Sequence, residues 1–239
     1  MSQGALLGGR IAYRQLCQGH RSGFEPVLMA AFVPARGHEL VLEVGTGAGA
    51  ALLCLAARVP DVWGVGVEHH ETLARLAGQN FAENGFAQLR GVRGDAACLP
   101  FAAQTFHHVM ANPPWFDPQS TRSTDEMRAL ARQATDKTLE AWVGELLRVL
   151  RDKGSITLAL PAFWYAQAAG LLHRQCGGVT LLPLWPRQGG KAKLVLLQAR
   201  KASRAPDSVL PGLVLHNEKG ITPEAESILR GGLPLLQIG

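Results

Sequence analysis

From Glu39 to Lys201 the chain alternates short apolar runs with longer stretches of helical periodicity. That alternation is the signature of a parallel sheet whose strands are joined by helical crossovers. The apolar runs predict strands at Leu40–Val44, Val62–Val67, Leu89–Val92, His107–Ala111, Ser155–Leu160, Val179–Leu184 and Leu194–Ala199. Helices are predicted over Ala50–Arg58, His70–Asn84, Thr135–Leu150 and Phe163–Gln175, with Gly154, just past a basic helix end, as a stop. The apolar segment Gly23–Pro34 precedes the first strand and predicts a helix capping the strand ends. Ser203–Gly212 reads as a linker and Pro223–Arg230 as a short terminal helix. The pattern divides the chain into an N-terminal cap (1–38), an α/β domain (39–202) and a C-terminal extension (203–239).

Composition narrows the partners more than the fold. At 47% hydrophobic and 18% charged residues, the chain has apolar material for a full core and too little charge for disorder. No uncharged apolar run reaches the roughly 18 residues of a membrane span. Arg10 and Arg14 are not followed by a signal-peptide apolar core, and a cytoplasmic location is expected. Cys17, Cys54, Cys98 and Cys176 are far apart in sequence and form no ligand cluster, so no metal site is expected. The net charge of +5 is compatible with a polyanionic partner without requiring one.

Two constellations carry chemistry. In the first, the run Leu40–Val44 feeds Gly45-Thr46-Gly47-Ala48-Gly49 and a helix start. Glycines let the backbone turn sharply and let a ligand lie against it, and the helix beyond presents unpaired N–H groups. The spacing is G-x-G-x-G, not the G-x-G-x-x-G of dinucleotide enzymes, and Glu43 sits two positions ahead of the turn. Glu68 ends the second predicted strand, where a carboxylate can accept the ribose hydroxyls of a nucleoside-containing cofactor, NAD among them. Asp95 and Ala96 follow the third. With Asn112, these groups fall at the carboxyl ends of adjacent strands, the crevice where open α/β sheets bind ligands.

The second constellation is Asn112-Pro113-Pro114-Trp115, closing the fourth strand. The prolines stiffen the turn and remove two donors. Asn112 offers an acceptor and a donor, and Trp115 offers a flat face for stacking. The set suits gripping the exocyclic amine of a planar substrate. His69 and His70 fall at a helix start and His107 and His108 inside a strand, positions that read as structural.

Strand-Asn-Pro-Pro-aromatic resembles the motif of amino-group N-methyltransferases that use S-adenosylmethionine (SAM). The resemblance implies a Rossmann-like class I SAM methyltransferase fold: a seven-stranded, mostly parallel sheet with helices on both faces and an antiparallel C-terminal edge. It implies SAM held by Glu43, Gly45, Thr46, Gly47, Gly49, Glu68, Asp95, Ala96 and Asn112, with Glu43 near the turn and the amino acid end, and Asp95 toward the adenine. Asn112, Pro113, Pro114 and Trp115 would form the catalytic turn. Most relatives carry Tyr or Phe where Trp115 stands.

The stretch Gly23 to Pro34 with the glycine turn, and Leu184-Trp185-Pro186-Arg187 through Leu197, is similar to the bacterial tRNA1(Val) (adenine-N6)-methyltransferase family. That family modifies the adenine 3′ of the anticodon; relatives usually have Asp where Glu25 stands. Alternatives are an N5-glutamine methyltransferase acting on a protein, whose helical N-terminal domain does not fit in residues 1–38, and a small-molecule methyltransferase. A tRNA substrate implies phosphate contacts, for which Arg122, Arg128, Arg132 and Lys137 after the proline turn, and Arg187, Lys191 and Lys193 near the last hairpin, are the candidates.

Overall fold

The computed structural model describes residues 1–17, 23–113 and 139–235. In chain order the elements are β1 (Ser2–Leu6), β2 (Ile11–Gln15), α1 (Glu25–Phe32), β3 (Leu40–Val44), α2 (Ala50–Arg58), β4 (Trp63–Glu68), α3 (Glu71–Glu83), β5 (Leu89–Arg93) and β6 (Phe106–Ala111). Helix α4 occupies residues 139–149 of the described chain. After it come β7 (Leu150–Pro161), α5 (Tyr165–Leu172), β8 (Cys176–Arg187), β9 (Leu194–Lys201), β10 (Ser208–Val209), β11 (Leu213–Asn217), β12 (Gly220–Ile221) and α6 (Pro223–Leu229).

All seven strands expected from the apolar runs form, and they lie in one sheet in the order β8-β9-β7-β6-β3-β4-β5. Strands β3 to β7 pair in parallel, and β9 runs antiparallel to both β7 and β8. The last two expected strands thus supply the antiparallel pairing, with β9 between β7 and β8, and the sheet continues past β8. Strand β11 joins β8 in parallel, β12 pairs with β11, and β10 adds a short rung on β8. The region read as linker and extension thus adds three strands to the sheet. Its pattern explains the omission: β11 buries only Leu213 and Leu215 on alternate positions, too few apolar residues to stand out between Pro211 and the turn.

Two apolar layers flank the sheet. One joins α1, α2, α3 and α6, with Phe32, Leu53 and Phe81 fully buried; the other gathers Leu139, Val143, Leu146 and α5 on the opposite face. The sequence expected α1, but not the β1–β2 hairpin ahead of it. The hairpin docks on α3 through two asparagines one helical turn apart. Asn84 exchanges hydrogen bonds with Ala12 N and O (2.9 and 2.8 Å), and Asn80 with Arg14 N and O (3.1 and 2.9 Å). Each side-chain amide turns one N–H and its oxygen to the hairpin, the pair a neighbouring strand would offer, and spends its second N–H elsewhere, on Ala48 O for Asn80 and on Asn80 O for Asn84.

Gly154 is not a helix stop. Helix α4 ends at Val149, and Gly154 lies inside β7. A Cβ there would stand 2.6 Å from the His107 carbonyl and 2.6 Å from Leu150, so close strand packing selects the glycine. The helix end is satisfied instead by buried Lys201, whose Nζ donates to the Leu147 and Leu150 carbonyls at 2.6 and 2.7 Å.

Candidate active site

The carboxyl edge of the sheet carries a cleft of about 220 Å³ lined by Glu43, Gly45, Thr46, Gly47, Ala48 and Asn112. Its outer wall comes from Tyr13 and Gln15 of the hairpin and from Gly23, Glu25, Pro26 and Met29 at α1. The turn after β3 is fastened from several sides. Gly45 and Thr46 both donate their N–H to the Val67 carbonyl (2.8 and 3.1 Å), and Gly47 N donates to Glu68 Oε2 (3.0 Å). Asn80 donates to the Ala48 carbonyl at 2.9 Å, so the hairpin's anchor also holds the turn. Gly45, Gly47 and Gly49 all have left-handed φ, between +56° and +88°, where side chains are rarely tolerated. At Gly47 a Cβ would meet nothing within 4 Å. Its face is open to the cleft, a cradle against which a ligand can lie.

Glu43 is the buried acid of the site. Its Oε2 accepts from Thr46 Oγ1 (2.7 Å) and from Leu52 N in the first turn of α2 (3.2 Å). Burial pushes its carboxyl up to about 7 against the pull of those two hydrogen bonds, with the Glu68 carboxylate adding to the rise. A cationic ligand in the cleft would favour the ionised form. Thr46, which holds Glu43, also packs on β4 so closely that a Cβ at Gly66 would stand 2.8 Å from it.

Of the residues expected to hold a cofactor, Glu43, Gly45, Thr46, Gly47 and Asn112 line the cleft together. Glu68 reaches it through Gly47, and its second oxygen accepts from His70 N at 2.9 Å. Gly49, Asp95 and Ala96 do not line it. Gly49 packs under Phe81, where a Cβ would come within 2.5 Å of the ring. Asp95 is exposed and turns its Oδ1 to Ala97 N (2.9 Å). Among the expected catalytic residues, Asn112 is half-buried at the end of β6 and Pro113 is buried behind it. Pro114 and Trp115, with Arg122, Arg128, Arg132 and Lys137, lie outside the described residues. Sequence reasoning missed Tyr13 and Gln15; the alternation of buried Ile11 and Tyr13 with exposed Ala12 was the available signal.

The remaining basic candidates fall on the same edge. Because β9 opposes both neighbours, β8 and β11 run with β3, and Arg187, Lys191 and Lys193 stand at the carboxyl ends. There a wider depression of about 1110 Å³ is lined by Arg187, His216, Lys219 and Glu218. It is larger than the cleft but contains no buried acid or glycine cradle. Ring contact between Phe24 and His216 (centroids 6.0 Å apart) joins it to the start of α1 and so to the cleft.

At the opposite edge, His108 bridges Ser155 Oγ (2.7 Å) and Glu39 Oε2 (2.9 Å). The order resembles a hydrolytic relay, but Ser155 is only 2% exposed, and a nucleophile must be reachable. The trio ties β6 and β7 to the residue ahead of β3, and Glu39 Oε2 also accepts from Arg36 N at 2.8 Å. No helix among the described residues is long and apolar enough to cross a membrane.

The methyltransferase-domain family model matches residues 41–134. The fold is shared with a predicted O-methyltransferase from Agrobacterium tumefaciens at a TM-score of 0.73 and 21% identity, covering 88% of this chain and 97% of that one. It is shared also with TrmN from Thermus thermophilus, at a TM-score of 0.55 and 21% identity, over 74% of this chain and 48% of that one. Fold, glycine turn and domain match together define a class I SAM-dependent methyltransferase, and SAM is its cofactor. The tRNA1(Val) (adenine(37)-N6)-methyltransferase of Actinobacillus succinogenes is 30% identical over 206 residues, 82% of this chain and 83% of the relative. That of Yersinia pestis is 27% identical over 233 residues, 93% and 92% of the two chains. The chain belongs to the tRNA1(Val) (adenine(37)-N6)-methyltransferase family.

Proposed function

We propose that this protein methylates the exocyclic N6 amine of adenine 37 in a valine tRNA, in the cytoplasm where that substrate is found. The observation that carries the reading is the meeting of Asn112 with Glu43 and the glycine turn in one cleft. An amine held by Asn112 would lie beside the cofactor site. When bound, SAM supplies a methyl group made electrophilic by its sulfonium sulfur.

The chain's own residues do the rest. Glu43, ionised by the approach of a cation, and the Gly47 cradle seat the amino acid end of the cofactor. Glu68, fixed by two backbone donors, would accept the ribose hydroxyls, and Asp95, exposed just past the end of β5, would accept from the adenine amino group. The Asn112 side-chain oxygen and the Pro113 carbonyl accept the two hydrogens of the target amine. They draw the nitrogen lone pair out of the ring and stabilise the positive charge that grows as the new C–N bond forms. The surplus proton then leaves from nitrogen to water. An in-line displacement of this kind depends on positioning more than on a strong base. Trp115 stacks on the flipped base, and Arg122, Arg128, Arg132, Arg187, Lys191 and Lys193 meet phosphates.

The test is methylation of a valine tRNA transcript with labelled SAM, followed by nuclease digestion and mass spectrometry. The expected product is one N6-methyladenosine, lost when adenine 37 is replaced by guanine. Label on a protein glutamine or a free amine, with none on tRNA, would overturn the reading.

A further inference from the structure

We infer that Phe163, with Lys193 beside it, is a stacking station for an unpaired RNA base next to the target adenine. The inference rests on the proposed RNA substrate and adds a residue that neither motif nor family likeness supplies.

Strand β7 is the neighbour of β6, and the register Ala111↔Leu158 places Asn112 level with Ala159. The chain leaves β7 at Pro161 and makes a short 3-10 turn, Ala162–Trp164. Trp164 is 4% exposed and anchors the turn in the core, while Phe163 points outward at 55% exposure. The two rings meet edge-on, 6.0 Å apart at 72°, which limits how Phe163 can rotate. Tyr165 follows at 36% exposure. An exposed aromatic thus stands beside the strand that ends in Asn112, on the ligand-binding edge.

Its surroundings are cationic. Residues 153–206 contain eight Lys or Arg and no Asp or Glu, leaving sixteen basic and nineteen acidic residues for the rest of the chain. Within that stretch, Arg174 pairs with Glu140, Lys201 caps α4, and Lys153 and Arg200 bond backbone carbonyls at the opposite edge. Arg187, Lys191 and Lys193 are exposed at the ligand edge, and their side chains have no hydrogen-bond or ion-pair partner among the described residues. The Lys193 carbonyl accepts from Ala162 N at 2.8 Å, which ties the basic loop to the residue preceding Phe163. An exposed ring with Lys193 tied to the residue before it, further unpaired cations on the same edge of the sheet, and no acid in its own stretch of chain, matches single-stranded nucleic acid: the bases stack and the phosphates meet the cations. Bases flanking a flipped adenine in a loop are themselves free to unstack.

The test compares Phe163→Ala, Phe163→Leu and Phe163→Trp in steady-state methylation of a valine tRNA transcript. SAM affinity and thermal stability are measured alongside. Losing one base–aromatic stack is expected to raise KM for RNA by roughly 5- to 150-fold in the Ala variant. Leu, which keeps apolar volume but has no ring face, should lose nearly as much, and Trp should restore wild-type KM. Unchanged KM in the Ala and Leu variants, rescue by Leu equal to that by Trp, or a loss confined to kcat or SAM affinity would overturn the inference and leave the substrate assignment intact. A wild-type chain that neither binds nor methylates the transcript removes the substrate assignment and this inference with it.

Discussion

The two flanks of the sheet's carboxyl edge are built on opposite principles. On the β3–β4 flank the polar groups of the turn find their partners inside the protein: Val67 O takes two turn N–H groups, Glu68 takes Gly47 N, Glu43 takes Thr46 and Leu52, and Asn80 takes Ala48 O. On the β7–β8–β9 flank, Arg187, Lys191 and Lys193 have no such partners among the described residues, and Phe163 lies open. The first flank is shaped before its ligand arrives, so a small cofactor gives up little free energy to ordering the protein. The second presents charge and ring faces that are left unpaired among the described residues. On the function proposed above, the difference would separate a reusable small-molecule site from a surface for a large polyanion, and each flank should then fail in its own way.

Asn112 sits where the flanks meet, and breaking it should have the largest effect. Asn112→Ala removes an acceptor needed chiefly as charge grows on the amine. Turnover on tRNA should fall about a hundredfold, the value of one transition-state hydrogen bond of on the order of 3 kcal/mol. SAM affinity should change far less if Glu43 and the glycine turn hold that ligand, as proposed, from other strands. Rapid-quench single-turnover rates measure the chemical step directly. A variant with near-normal turnover would mean the amine is held elsewhere.

Much of the cofactor flank was legible because local sequence dictates it. Gly45 and Gly47 need left-handed φ, Glu43 needs a strand beneath it, and Leu40–Val44 matches the observed strand residue for residue. Less was legible where tertiary contacts decide. The β1–β2 hairpin docks through Asn80 and Asn84, whose sequence positions read only as polar sites on a helix. Strands β10 to β12 exist because β8 offers them an edge, not because their own residues insist on it. Gly49 matched the cofactor pattern, yet its structural reason is Phe81. Asp95 came from motif order, and in the structure it serves its own turn.

Glu43 gives the cofactor flank a pH signature. Its folded pKa of about 7 lies above the ordinary value of 4.5. The native state therefore holds a proton that the unfolded chain has lost, and this group's contribution to stability falls as pH rises from about 4.5 through about 7. By pH 8 the loss is on the order of 3 kcal/mol. Glu43→Gln should then melt higher than wild type at pH 8, the gap closing by pH 5. Binding runs the other way: cationic SAM selects the ionised carboxylate, so affinity should rise by up to about tenfold per pH unit below 7 and level off above it. The Gln variant should bind weakly with a flat profile. Calorimetry from pH 5.5 to 8.5 reads both effects, and a flat wild-type profile would show that Glu43 does not change ionisation when SAM binds.

The smallest effect should mark the other flank and give the sharpest contrast between the two. Each phosphate contact contributes about one counterion to the salt dependence of RNA binding. Removing one, in Arg187→Gln, Lys191→Gln or Lys193→Gln, should lower the slope of log affinity against log salt by nearly one unit. Between 50 and 200 mM salt that amounts to roughly a threefold smaller loss of affinity per substitution. Arg174→Gln is the matched control. It removes a charge from the same acid-free stretch, but one already paired with Glu140 at 2.8 Å and standing at the far edge of the sheet. Its slope should stay at the wild-type value, and so should that of Glu43→Gln, whose defect concerns a buried cleft that salt hardly screens. If Arg174→Gln flattens the slope as much as Lys193→Gln does, RNA senses only the overall charge of the protein. The basic loop beside Phe163 would then be no more than one part of a diffuse field.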